Sequence, residues 1–187
     1  ILLLSGLFLI FTSPHRVERV MTYLKGDSTS TSDADGYHIQ HAKIAIGSGG
    51  FFGVGIGDSV QASGYLPEAI NDSIFAIIGE TFGFVGTVAL IALFVTLLMR
   101  ILKTMDYLVD IRLKLLAAGV FGWMGAHVIL NIAAMIGIFP LTGITLPLLS
   151  YGGTSMIFMT AALGLVYQIS RYTVHPSRLK EEDNEDS

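Results

Sequence analysis

The chain has 187 residues, 52% of them hydrophobic and only 14% charged, with a net charge of −4 and no cysteine. An average soluble domain carries about 25% charged residues, so an ordinary globular enzyme is a poor match. The absence of cysteine excludes disulfides and thiolate chemistry, and the acidic balance lacks the basic footprint of a nucleic-acid binder.

The distribution of charge says more than its total. No Asp, Glu, Lys or Arg occurs between Lys114 and Arg171. At about 20 residues per crossing, such a run holds two membrane spans and a short turn. The fold class expected is an all-α integral membrane protein, a multi-span helical bundle with about three full spans and the end of another.

In chain order, residues 1–11 are apolar but too short to cross a bilayer core of about 30 Å, and they lack the basic start of a signal peptide. They read as the far end of a span, and the chain as the C-terminal part of a longer protein. Residues 12–72 form a large polar region, read as an extracytoplasmic loop, with a low-complexity patch from Gly26 to Gly36. Transmembrane helices are predicted over 73–99, 115–139 and 151–170. Residues 172–187 form an acidic tail, read as disordered and cytoplasmic.

Basic residues orient the spans. Arg100, Lys103, Arg112 and Lys114 lie between the first two predicted spans, and Arg171, Arg178 and Lys180 follow the last. The turn 140–150 carries no charge. By the positive-inside rule both basic segments are cytoplasmic, and the turn 140–150 and the loop 12–72 face outward.

The most informative stretch runs from Tyr65 to Glu80, Tyr-Leu-Pro-Glu-Ala-Ile-Asn-Asp-Ser-Ile-Phe-Ala-Ile-Ile-Gly-Glu. A carboxylate at the membrane edge is costly and by default functional. With Pro67 in the first helical position, Glu68, Asp72, Ala76 and Glu80 fall four apart on one face of a helix. Upstream, the glycines of 47–57 fit neither a dinucleotide fingerprint nor a P-loop; close packing of a re-entrant or amphipathic segment accounts for them better.

The Leu-Pro-Glu-Ala block with its Asp and Ile-Phe-Ala-Ile-Ile-Gly-Glu resembles the SEDS family of bacterial cell-wall polymerases, the FtsW, RodA and SpoVE proteins. Further blocks carry the likeness over residues 1–171: Arg16-Val17-Glu18-Arg19-Val20, Ala45 to Gly50, Phe52 to Gly57, Gly137 to Gly143, and Leu146 to Ser155. Gly57-Asp58-Ser59-Val60-Gln61 leans towards the FtsW branch. Ile70, Asn71 and Ser73 depart from the His-Thr-Asp-Phe common in the family, and His38 stands where a Gln is usual.

The resemblance implies a peptidoglycan glycosyltransferase that polymerises lipid II on the outer face of the bacterial cytoplasmic membrane, in cell division. It makes Asp72 the catalytic base, which takes the acceptor hydroxyl's proton; the residues alone read more readily as a carboxylate complementing a helix dipole. Glu68 orients substrate or stabilises the helix start. Arg16 and Arg19 either hold a diphosphate or snorkel to lipid headgroups; Lys43 is a weaker candidate of the same kind. Ser150, Gly152, Gly153, Thr154 and Ser155 open the last span, where a helix N-terminus can face a diphosphate or be capped by a hydroxyl.

Glu80 is expected to make a buried hydrogen bond or ion pair. His127 and Asn131, four apart, are expected to hydrogen-bond between helices, since a metal site needs three or four ligands. The resemblance names no cofactor, and a divalent cation is left open. The partners it implies are lipid II, an undecaprenyl-diphosphate-linked glycan, a class B penicillin-binding protein and other divisome or elongasome membrane proteins. Two other classes compete. A flippase or transporter for lipid-linked sugars would use Glu80, His127 and Asn131 as a path, and a non-catalytic scaffold would need no Asp72.

Overall fold

The computed structural model describes residues 34–55, 73–140, 143–171 and 173. Among the described residues four helices follow in chain order: α1 (Ala34–Ser48), α2 (Ile74–Asp106), α3 (Ile111–Met135) and α4 (Gly153–Ser170). Among the described residues there is no strand. The last three helices are long and apolar enough to cross a membrane, and the chain is an all-helical membrane protein.

The helices differ from the predicted spans at their ends, for local reasons. α2 runs past Met99 to Asp106, because loss of hydropathy marks the edge of the hydrocarbon and not the end of hydrogen bonding. Its 33 residues exceed the roughly 20 that a core of about 30 Å requires. α3 begins at Ile111 because Asp110 caps it: the Arg112 N–H donates to Asp110 Oδ1 at 2.8 Å, and the Lys114 N–H to the Asp110 carbonyl at 3.0 Å. Hence Arg100, Lys103, Arg112 and Lys114 sit on helix ends, and the connection between them is short.

α3 stops at Met135 and not at Phe139. Gly137 takes a left-handed φ of 79°, its N–H donates to Ala134 O at 3.1 Å, and the Ile138 N–H donates to Ala133 O at 2.8 Å. These two bonds are those of a Schellman cap. α1 is a further correction: it lies within the region read as one loop and takes in the end of the Ser/Thr patch, from Ala34.

The chain divides into two compact units, Ile1–Thr87 with Leu130–Ile144, and Val88–Ile129 with Thr145–Ser187. The second is held by side chains from α2, α3 and α4. Ile101, Val120, Met124, Met159, Ala162 and Val166 form its buried cluster, with Leu97, Leu98 and Leu148 packed against it. In lipid such a cluster is held by close van der Waals packing, since the surrounding tails are as apolar as leucine.

The first unit is built differently. α1 buries small residues, Ala42 and Ala45, and α2 buries Ala76 and Gly79. Past α1, Gly49 approaches so near to Gly79 that a Cβ at Gly49 would collide with the Gly79 carbonyl. What this close approach permits is an exchange of backbone hydrogen bonds.

Candidate functional site

α2 is interrupted at Gly83, whose backbone (φ 66°, ψ −158°) lies in a region open essentially to glycine alone. In an unbroken helix the N–H groups of Phe84 and Val85 would donate to Glu80 O and Thr81 O. Instead they donate to Gly50 O at 2.9 Å and Phe51 O at 3.3 Å. The freed carbonyls of Glu80 and Thr81 accept from Val54 N at 2.9 Å and Gly55 N at 3.1 Å. Val54 and Gly55 would themselves reach back to Gly50 and Phe51 if α1 continued. Two helical ladders are thus broken at matching points and joined crosswise.

The matching points share a sequence pattern. Gly49-Gly50-Phe51-Phe52-Gly53 and Gly79-Glu80-Thr81-Phe82-Gly83 are both Gly-x-x-Phe-Gly. Both final glycines have positive φ, 84° at Gly53 and 66° at Gly83. A Cβ at Gly53 would collide with the Thr81 carbonyl, and one at Gly83 with Gly53 N and the Phe51 backbone. Phe51 and Phe84 pack across the join with ring centroids 5.8 Å apart. An unpaired backbone group in lipid costs several kcal/mol, and the crossing pairs all eight of these groups in four bonds.

The exchange anchors the first part of α2, Ile74 to Phe82, which in sequence follows the acidic stretch singled out above. Ser73 is fully buried and non-helical. Its carbonyl accepts from Ala76 N at 2.9 Å and Ile77 N at 3.2 Å, which places Ser73 at the N-cap position. The described helix thus starts after Ser73; the helical start expected at Pro67 lies outside the described residues. Asp72, Glu68, Arg16 and Arg19 lie outside the described residues. Glu80 is 2% exposed, and its main chain takes part in the exchange.

The segment before α4 is held by side chains. Pro147 and Leu148 occupy the centre of a turn closed by Leu149 N donating to Leu146 O at 3.4 Å. Leu148 has a φ of 63°, the third-position geometry of a type II turn, which favours Gly or Asn. Ser150, 1% exposed, accepts the Leu146 N–H on its Oγ at 2.8 Å. The N-cap of α4 is Gly152, with no side-chain cap, so the capping expected of Ser150 or Thr154 is not what starts this helix. Ser155 Oγ donates to Gly152 O at 3.1 Å and accepts from Thr145 Oγ1 at 3.2 Å. Gly153 and Thr154 are exposed.

His127 Nδ1 lies 3.0 Å from Trp123 O; a carbonyl can only accept, so Nδ1 carries the proton there. Its ring meets the Trp123 ring edge-on at 5.6 Å. Asn131, buried, donates from Nδ2 to Ile144 O at 2.8 Å. These bonds run to main-chain carbonyls, within α3 for His127 and to the following segment for Asn131. The Lys43 side chain reaches Gly137, where a Cβ would stand 3.0 Å from Nζ, at the C-terminal end of α3 that favours a cation.

A family model described as "Cell cycle protein", covering FtsW, RodA and SpoVE, matches residues 1–175. This chain belongs to the FtsW/RodA/SpoVE family. Within the family it is 41% identical over 166 residues to the "Probable peptidoglycan glycosyltransferase FtsW" of Taylorella equigenitalis (strain MCE9), covering 86% of this chain and 44% of that protein. It is 38% identical over 171 residues to the "Stage V sporulation protein E" of Bacillus subtilis (strain 168), covering 91% of this chain and 46% of that protein. The chain thus spans less than half the length of these FtsW and SpoVE relatives. Among solved structures it superposes with a TM-score of 0.69 and 30% identity, over 92% of this chain and 49% of the other, on a chain described under "Structural coordination of polymerization and crosslinking by a peptidoglycan synthase complex".

As for the divalent cation left open by the family resemblance, no three His, Cys, Asp or Glu side chains among the described residues could hold one.

Proposed function

We propose that a protein of the full family length carrying this chain polymerises lipid II into glycan strands on the outer face of the cytoplasmic membrane, in cell division. The observation that carries this is the family match over residues 1–175, which includes the Leu-Pro-Glu-Ala block with Asp72. The positive-inside distribution of Arg and Lys supports the outward face.

The chemistry follows from the substrates. The 4-hydroxyl of lipid II attacks the anomeric carbon of an α-linked, undecaprenyl-diphosphate-bound glycan. The new β-glycosidic bond forms as the bond to diphosphate breaks, with inversion. Asp72 accepts the hydroxyl proton, and the electron pair of the broken bond leaves on the diphosphate. Because that group departs already ionised, no second carboxylate is needed to protonate it, unlike in glycoside hydrolysis. Arg16, Arg19 and the exposed amide end of α4 at Gly153 and Thr154 are the proposed donors to the diphosphate, with Glu68 orienting the acceptor. Ser150 acts one step back, since its Oγ already accepts from Leu146 N.

The partner proposed is a class B penicillin-binding protein. The structural relative, drawn from a complex that couples polymerization with crosslinking, supports this reading.

The test is lipid II polymerisation by the full-length protein purified with its transpeptidase, wild type against Asp72→Asn. Loss of a general base costs about 10²- to 10⁴-fold in rate, and a drop of that size from a folded, partner-bound variant is expected. Equal rates would remove Asp72 as the base. No product from either, where a known polymerase succeeds, would favour a transporter or a scaffold.

A further inference from the structure

We infer that the end of the second unit where α2, α3 and α4 meet the connection 107–110 is a binding site for an anionic phospholipid, recognised by its headgroup phosphate. The leaflet, by the orientation proposed above, is the cytoplasmic one; the site itself does not depend on that reading.

Three helix ends converge there. Leu108, in the connection, is buried with Ala117 of α3 and Ile169 in the last turn of α4, and Met105 and Leu113 pack against them. This small cluster gathers the charged residues of the same three ends. Arg100 and Lys103 lie in the last two turns of α2, Arg112 and Lys114 in the first turn of α3, and Arg171 is the C-cap of α4. At this end five cations stand against two carboxylates, Asp106 and Asp110. Asp110 Oδ1 already accepts the Arg112 N–H. Among the described residues none of the five cations is in an ion pair, and all but the half-buried Lys114 are exposed. Helix stability does not account for Arg112 and Lys114: the dipole disfavours cations in a first turn, and no acidic residue balances them in it. Cations in excess at the edge of the hydrocarbon attract the anionic headgroups of the bilayer, and Arg offers a phosphate a bidentate fork.

The tip supplies the second half of the match. Val109 is 84% and Ile111 64% exposed, between the cations that end α2 and those that begin α3. At the boundary of headgroups and acyl chains such side chains bury apolar area while neighbouring cations reach phosphate. A dissolved anion or an acidic protein segment would meet the cations but leave Val109 and Ile111 in water. A phospholipid carries both the charge and the apolar surface on one molecule.

The experiment titrates phosphatidylglycerol into the full-length protein in detergent and counts bound lipid by native mass spectrometry. Phosphatidylcholine with the same acyl chains serves as the neutral lipid, inorganic phosphate as the free anion and poly-glutamate as the acidic chain. Wild type is expected to bind phosphatidylglycerol more tightly than phosphatidylcholine. It should lose that preference at about 1 M salt, where screening acts over roughly 3 Å. A cation at a bilayer surface is worth about fivefold in affinity for anionic lipid. Arg112→Gln with Lys114→Gln is therefore expected to weaken phosphatidylglycerol binding by about 25-fold and to leave phosphatidylcholine unchanged. Val109→Ser should weaken both lipids by a similar factor, because it removes apolar area and no charge.

A melting curve in phosphatidylcholine checks that each variant is folded. Should the α3 pair fail to fold, Arg100→Gln with Lys103→Gln carries the same expectation. Equal affinity of wild type for the two lipids, or wild-type affinity for phosphatidylglycerol in a folded double variant, overturns the inference. So does displacement of phosphatidylglycerol at constant ionic strength by inorganic phosphate or by poly-glutamate, which would make this a site for a soluble anion or an acidic protein segment.

Discussion

The Gly-x-x-Phe-Gly crossing and the turn before α4 meet the same problem in opposite ways. Both are irregular backbone in an apolar protein, where a polar group without a partner is expensive. At the crossing, backbone pairs with backbone of a distant segment, and the side chains needed are absent ones. At the turn, local hydroxyls do the pairing: Ser150 Oγ takes the Leu146 N–H, and Ser155 bridges Thr145 and Gly152. The first arrangement tolerates no added atom, and the second tolerates no removed one. The turn even holds Leu148 in a left-handed conformation, because its side chain packs on the cluster around Met124 and Met159.

That contrast predicts a graded set of effects on the unfolding of the solubilised protein, followed by thermal denaturation. Gly83→Ala should be the most damaging, since strain of about 1–3 kcal/mol adds to a collision with Gly53 N and the Phe51 backbone. A wild-type melting curve from that variant would break the comparison. Ser150→Ala should come next, at about 1–3 kcal/mol, because it strands a buried amide at Leu146; Ser150→Gly should do the same, and no loss in either would mean the hydroxyl is not the partner. Asp110→Ala removes the cap of α3 and should cost about 1 kcal/mol, with Asp110→Asn near wild type. Gly47→Ala should stabilise by up to about 1 kcal/mol, as expected of an exposed helical glycine with open space around it.

The spans were legible because charge is excluded from them: the run from Lys114 to Arg171 announces α3 and α4 without any propensity argument. Their ends were less legible. Asp110, Gly137 and Gly152 decide where helices start and stop, and hydropathy does not weigh caps. The glycines of 47–57 pointed to close packing, but their partner was hidden, since the second Gly-x-x-Phe-Gly lies inside an apolar run that reads as unbroken helix. Comparing the two segments with each other would have exposed it. α1 was missed because it starts within a Ser/Thr patch and its buried face is made of alanines. For His127 and Asn131 the sequence carried the polarity but not the acceptor, which in both cases is a main-chain carbonyl. Asp72, Glu68, Arg16 and Arg19 rest on the family likeness.

The most direct test of the crossing is amide hydrogen exchange in the full-length membrane protein, wild type against Gly83→Ala, read at Val54, Gly55, Phe84 and Val85. The account predicts that all four are protected in wild type and lose protection together in the variant, while amides of Ile91 to Thr96 in the same helix are unchanged. Four amides that respond independently, or keep wild-type protection in Gly83→Ala, would contradict it.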